Sequence, residues 1–352
     1  MATEFTVEQA LQAQARSCTN IGSPLYGALI GGLLKDYRAG GITRSLLDGV
    51  TAKPLHDALP LRYVGTGHLL ALRGDAPDLA AHYPSCGGEW DATSAVVDTF
   101  LATARDNEAE FRRGVRRNVQ TNEVGRAAVL ATGFSCITDR HRLPLDLLEI
   151  GSSAGLLSRW DRFYYDTGET VLGDPASGVR FGPEWWDGPP RINASVTVRN
   201  RRGSDITPIE VGSDEGNLRM LSFVWPDQVA RIERLRAALD IAAVVPVRVD
   251  AMDAGEWLGL RLEDGPAPGA ATVVFHSIVW QYLPESTRER VHQTLAHAGA
   301  LATADNPLLW LRMEPLSAIT ADLRLTTWPG GEEEVLAEVG YHGASVRWLS
   351  DR

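Results

Sequence analysis

The sequence predicts an α/β protein, with a doubly wound, mostly parallel sheet preceded by a helical N-terminal region. Three observations predict it. From residue 145 onward, short apolar runs alternate with helical stretches, which implies a parallel sheet covered on both faces. Before residue 140 the apolar residues recur at helical spacing and no alternating run of useful length appears. Between the two textures stands LLEIGSSAGLL (residues 147–157), a buried-strand pattern running straight into a glycine-rich turn.

The elements follow in chain order. FTVEQALQAQA, PLYGALIGGLLKDYRAG and TSAVVDTFLATARDNEAEFRRGVRRN carry apolar residues near i, i+3, i+4 and i+7. Gly40-Gly41 and the stretch Pro84–Gly88 separate them. The expected strands are Leu145–Ile150, Ala194–Val198, Val244–Val249, Ala271–Phe275 and Pro307–Arg312, with helices at VWPDQVARIERLRAALDIAA and ESTRERVHQTLAHAG. EEVLAEVGYHGASVRWL adds two short strands around Gly343. The division expected is a helical cap or lid over 1–118 and an α/β domain over 119–352, with an insertion at about 157–193.

Composition narrows the function classes. The chain has 352 residues, 44% of them hydrophobic, enough for a sizeable core. A formal net charge of −11 disfavours a general nucleic-acid binder, which needs a basic surface. Cys18, Cys86 and Cys136 form no C-x-x-C pair, and no H-E-x-x-H occurs, so no metal site is expected. MATEFTVEQALQAQARS lacks an apolar signal core and no run reaches the ~18 residues of a membrane span. The expectation is a cytoplasmic protein acting on a small-molecule substrate, with no membrane or nucleic-acid partner and an oligomeric state left open.

Gly151-Ser-Ser-Ala-Gly155 supports two chemistries. It fits G-x-S-x-G, the elbow that exposes a nucleophilic serine, here Ser153, with Asp250 or Asp253 and His276 as the remaining triad. It also fits a glycine-rich turn receiving a nucleotide cofactor. An elbow sits in mid-sheet with strands before it, whereas Leu145–Ile150 would be the first strand here. The cofactor reading is the better one. It calls for an acid near the end of the second strand to hold ribose hydroxyls, and Asp205 suits. A polar group should end the third, and Asp250-Ala251 does so. The fourth, ATVVF, is apolar and has His276 at its end.

Glu149-Ile-Gly, Ser-Asp205-Ile-Thr-Pro, Val-Asp250-Ala and Val-Val-Phe-His276-Ser, in that order, resemble the class I S-adenosylmethionine-dependent methyltransferases over roughly 119–352. The whole chain resembles the bacterial family catalogued as domain of unknown function 2332, through Gln120-Thr-Asn-Glu-Val-Gly-Arg126, Leu148–Gly155, Gly173-Asp-Pro-Ala-Ser177 and Val224-Trp-Pro-Asp-Gln228. The methyltransferase resemblance implies a Rossmann-like sheet and S-adenosylmethionine as cofactor. Its cradle would be Glu149, Gly151, Ser153 and Gly155, with Asp205, Asp250 and Ala251 along the nucleoside. Ser153 stands where that turn usually has glycine, and Asp205 falls late because of the insertion.

The expected reaction is methyl transfer to an oxygen or nitrogen of a small molecule, with His276 as base. Thr121 or Asn122 suits the N-cap of the helix feeding the first strand, and Glu123 suits its first turn. That helix starts at the strand's carboxyl end, so Glu123 and Arg126 join His276 as catalytic candidates. Asn122, Trp185, Trp186 and Tyr282 are substrate-side candidates, though Tyr282 also suits core packing and the tryptophans suit packing of the insertion. A non-catalytic S-adenosylmethionine-binding protein and the Ser153 hydrolase are the alternatives. Arg112, Arg113, Arg116 and Arg117 read as a solvated helix face.

Overall fold

The computed structural model describes residues 5–188, 190, 195–317 and 319–350. The chain forms two compact units: residues 1–121 with 213–236, and residues 122–212 with 237–352.

The first unit is helical. Its main helices are Val7–Asn20, Pro24–Arg38, Leu59–Arg73 and Ala95–Asp106. Thr6 and Gln9 close a capping box on the first. Tyr63, Phe100 and Phe111 meet edge-on at the centre, with ring centroids 5.1–5.5 Å apart. Residues 213–236 return to this unit. Asp227 accepts from Ser23 Oγ (2.6 Å) and Leu25 N (3.0 Å), capping the second helix, and Trp225 packs near Tyr26. The Val224–Gln228 stretch is thus a structural clasp. Arg112 pairs with Glu108 and Arg113 with Glu110 on an exposed face.

The second unit is a three-layer α/β structure. Its sheet comprises β1 (Leu145–Ile150), β2 (Val198–Asp205), β3 (Arg248–Ala251), β4 (Ala271–Ser277), β5 (Leu308–Pro315), β6 (Thr320–Trp328), β7 (Glu332–Gly340) and β8 (Arg347–Trp348). The strand order is β8-β7-β6-β5-β4-β1-β2-β3. The β3-β2-β1-β4-β5 half is parallel, and β6 to β8 continue it antiparallel. The helix Ala127–His141 covers one face, with Phe134 edge-on to Phe275. Helices Ala254–Arg261 and Glu285–Ala300 cover the other through Trp257, Leu258, Val291 and Leu295.

β1 matches its expected bounds, and all six residues are buried between β2 and β4. β2 starts later than the apolar run at 194–198, whose first residue lies outside the described residues, and reads VRNRRGSD. Its arginines pair with carboxylates: Arg199 with Asp146, Arg201 with Asp161 and Arg202 with Asp250. β6, not expected as a strand, alternates Ala321, Leu323 and Leu325 with Asp322, Arg324 and Thr326. The insertion forms a small three-stranded sheet of Tyr164–Asp166, Val171–Leu172 and Arg180–Phe181. Gly173-Asp-Pro-Ala-Ser177 is a turn within it: Asp174 accepts from Ala176 N, and Ser177 Oγ donates to the Arg162 carbonyl.

Candidate functional site

In an open α/β sheet, ligands lie outside the carboxyl ends of the strands where the strand order reverses. Here the chain runs outward from β1 to β2 and β3, then returns to β4 on the other side of β1. The carboxyl ends of β1 and β4 therefore bound the switch point.

The turn after β1 is held by backbone conformation and by β2. Gly151 has φ +65°, and a side chain there would meet Val279, past the end of β4, at 2.5 Å. Ser153 also adopts a left-handed φ, +52°. Asp205 grips the turn: Oδ2 accepts from Ser153 N (2.9 Å), and Oδ1 accepts from Thr207 N (2.9 Å). Arg159, buried beneath, donates Nη1 to the carbonyls of Ala154 and Gly155 and Nε to that of Val245. Asp205 and Arg159 together hold three backbone groups of the turn.

Glu149 sits at the end of β1, 2% exposed, and accepts a 2.6 Å hydrogen bond from Ser158 Oγ. Burial pushes its carboxyl up to about 8, with Ser158 and the Arg159 charge pulling the other way. Glu149 is thus a buried acid incompletely matched by positive charge.

The Gln120–Arg126 stretch bridges both sides of the switch point. Asn122 Oδ1 accepts from Leu156 N (2.7 Å), beyond the β1 turn. Arg126 Nη1 donates to the Ser277 carbonyl (3.1 Å), at the end of β4. Neither Thr121 nor Asn122 caps here. Glu123 does, accepting from Gly125 N at 3.0 Å over the short helix Val124–Arg126. The Arg126 guanidinium lies 5.8 Å from the Tyr341 ring.

His276 is fully buried at the end of β4. Its Nδ1 lies 2.6 Å from Glu314 Oε1 on neighbouring β5, and that oxygen also accepts from Val279 N and Trp280 N. The ring stacks on Trp280, with Trp310 on a tilted side. These donors and the histidine lower the Glu314 carboxyl despite the opposing effect of burial. Glu314 takes the Nδ1 side of the ring, so in the neutral imidazole Nε2 is the accepting nitrogen. Ser153 Oγ and His276 Nε2 are both buried without a hydrogen-bond partner, so the structure does not join them as nucleophile and base.

Other candidates are built into the scaffold. Asp250 takes Arg202 Nε and Nη2, Arg248 Nε and Trp257 Nε1, which fills its carboxylate and holds it well below the usual range against the effect of burial. Ala251 follows it, exposed, at the end of β3. Asp253 caps the helix Ala254–Arg261 through the amides of Gly255 and Glu256. Trp186 is buried, with Nε1 bonded to Thr132 Oγ1 (3.3 Å), and Trp185 is half-buried, edge-on to Phe181. The Trp185 carbonyl and Asp187 amide pair with Val346, so this end of the insertion is stitched to the approach to β8. Tyr282 is 57% exposed and is not a core residue.

Sequence reasoning missed Ser158, Arg159 and Glu314. An arginine in the apolar stretch LLSRW was a signal, because a buried guanidinium must bond to something. Glu314 gave none, since it lies 38 residues from His276. Among the described residues no metal-ligating group of three or more side chains converges, and no helix is long and apolar enough to cross a membrane.

A comparison with curated proteins finds no match. The family described as an uncharacterized protein conserved in bacteria (DUF2332) matches residues 8–348, and the chain belongs to it.

Proposed function

We propose that the α/β unit has a methyltransferase-type Rossmann fold, binds S-adenosylmethionine, and directs methyl transfer to an oxygen or nitrogen of a small molecule. The observation that carries this reading is the β1 turn at the switch point, with glycine at its tightest approach and Asp205 of β2 holding its far side. The residues fit the cofactor at three places. Glu149 supplies a buried carboxyl that burial keeps protonated and that a cation beside it would return to its charged form, which suits the ammonium of the methionine end. The Gly151–Gly155 turn supplies the close backbone. Asp205, whose carboxylate accepts from Ser153 N and Thr207 N, closes β2 where an acid would meet ribose hydroxyls. Asp250 serves by fixing β3, and the base side falls to Ala251.

The bound cofactor supplies an electrophilic methyl on a sulfonium. The chain's part is orientation, which by itself lowers a bimolecular barrier substantially. The Gln120–Arg126 stretch fixes the two loops relative to each other, through Asn122 and Arg126. His276, held by Glu314 with Nε2 as the accepting nitrogen, takes the proton the acceptor loses.

Isothermal titration tests the reading. S-adenosylmethionine or S-adenosylhomocysteine should bind the wild type. Asp205→Ala should weaken binding by roughly 1–3 kcal/mol, the scale for orphaned hydrogen-bonding groups. No heat with either ligand removes the proposal. Binding without turnover across a metabolite panel points to a binding protein that keeps the fold.

A further inference from the structure

The helical unit contains a side-chain chain that the proposed methyl transfer does not use. His68, fully buried in the helix Leu59–Arg73, has Nδ1 3.1 Å from the Ser222 carbonyl and Nε2 2.8 Å from Ser85 Oγ. A carbonyl only accepts, so Nδ1 carries the proton. Nε2 is then a bare acceptor, and the Ser85 hydroxyl donates to it. Burial lowers His68 to about 4, so the imidazole is neutral near pH 7 and its Nε2 lone pair is available to the Ser85 hydroxyl. A nucleophile bonded to a base, with the base oriented by a third group, is the arrangement of a hydrolytic serine.

Ser85 lines a cavity of about 510 Å³ together with Leu72, Arg73, Cys86, Gly87 and Arg236. That volume suits a small molecule. Arg236 Nη2 lies 3.4 Å from the Ser85 carbonyl, which brings its guanidinium beside the serine. Arg73 adds a second positive charge to the same cavity.

We propose that Ser85, His68 and the Ser222 carbonyl form a second site, which hydrolyses small esters carrying a carboxylate or phosphate group. Ser85 Oγ bonds to the acyl carbon as its proton passes to His68 Nε2. The carbonyl π pair moves onto oxygen, where Arg236 offsets the charge. Collapse breaks the bond to the leaving alkoxide, which takes the proton from His68. Water then adds by the same route, and the acyl–serine bond breaks to return Ser85 and a free acid. Arg73 receives the anionic group of the substrate.

A fluorophosphonate probe with peptide mapping tests this on the full chain. Labelling should fall on Ser85 in the wild type, vanish in Ser85→Ala, and slow by about 10²–10⁴-fold in His68→Gln, the range of a general base. The wild type should also cleave p-nitrophenyl succinate faster than neutral p-nitrophenyl butyrate, and Arg73→Gln should erase that preference. An unlabelled wild type overturns the proposal, whatever the variants do. So does labelling confined to Ser153, which would instead revive the elbow at the β1 turn. Succinate-ester hydrolysis that survives in Ser85→Ala overturns it as well.

Discussion

Glu149→Gln tests whether the buried acid at the end of β1 is protonated in the folded chain. The carboxyl rises from 4.5 to about 8 on folding, mainly through burial. At ~1.4 kcal/mol for each tenfold change in affinity, that rise corresponds to about 5 kcal/mol. The direction follows from linkage. Above pH 4.5 the unfolded chain releases this proton, while the folded chain keeps it until about pH 8. Its contribution to stability is therefore complete below pH 4.5, drains away as pH rises toward 8, and levels off beyond. Glutamine has no such proton, and its amide oxygen can still accept from Ser158 Oγ. Urea unfolding followed by tryptophan fluorescence at pH 5, 6.5 and 8 gives both curves. The variant should match the wild type near pH 5 and exceed it by several kcal/mol at pH 8. Parallel curves, within about 1 kcal/mol at every pH, would refute a protonated buried Glu149 and the charge deficit inferred from it.

Two substitutions in the neighbouring turn should act in opposite directions. Gly151→Ala places a side chain at φ +65° and against Val279, and should destabilise by about 1–3 kcal/mol in urea unfolding. Ser153→Gly relieves φ +52° and removes a buried unpartnered hydroxyl, and should stabilise by about 1 kcal/mol; a loss instead would show that the hydroxyl has a use in the folded protein. Asp250→Asn should cost about 1.5–3 kcal/mol at pH 7, the scale for hydrogen bonds to a charged group. Because the folded carboxyl is held below its ordinary 3.8, that stability is present above about pH 4 and lost as pH falls further. Chemical denaturation at pH 7 and pH 3 should show the gap between wild type and variant closing in acid.

The sequence alone determined what depends on local pattern. β1 shows as an apolar run because both its faces and both its edges are covered, and the turn after it shows because glycine is needed at Gly151. The helical character before residue 140 shows because apolar spacing records which face of a helix is buried. The switch-point position of Gln120–Arg126 was also legible, since a helix feeding a strand must begin at that strand's far end. Tertiary structure decided the rest. β2 was misplaced because its arginines reach carboxylates 40–53 residues away, and a strand stabilised by such pairs lacks an apolar run. Asp250 looked like a ligand group until Arg202, Arg248 and Trp257 were seen to fill it. The clasp at 224–228 reads as helix entry, yet Asp227 caps a helix 202 residues earlier. Glu314 became a partner of His276 only when parallel pairing set β5 beside β4. A side chain's propensity is local, but its hydrogen-bond partner is chosen by the fold, and at a buried site the partner sets the charge and therefore the chemistry.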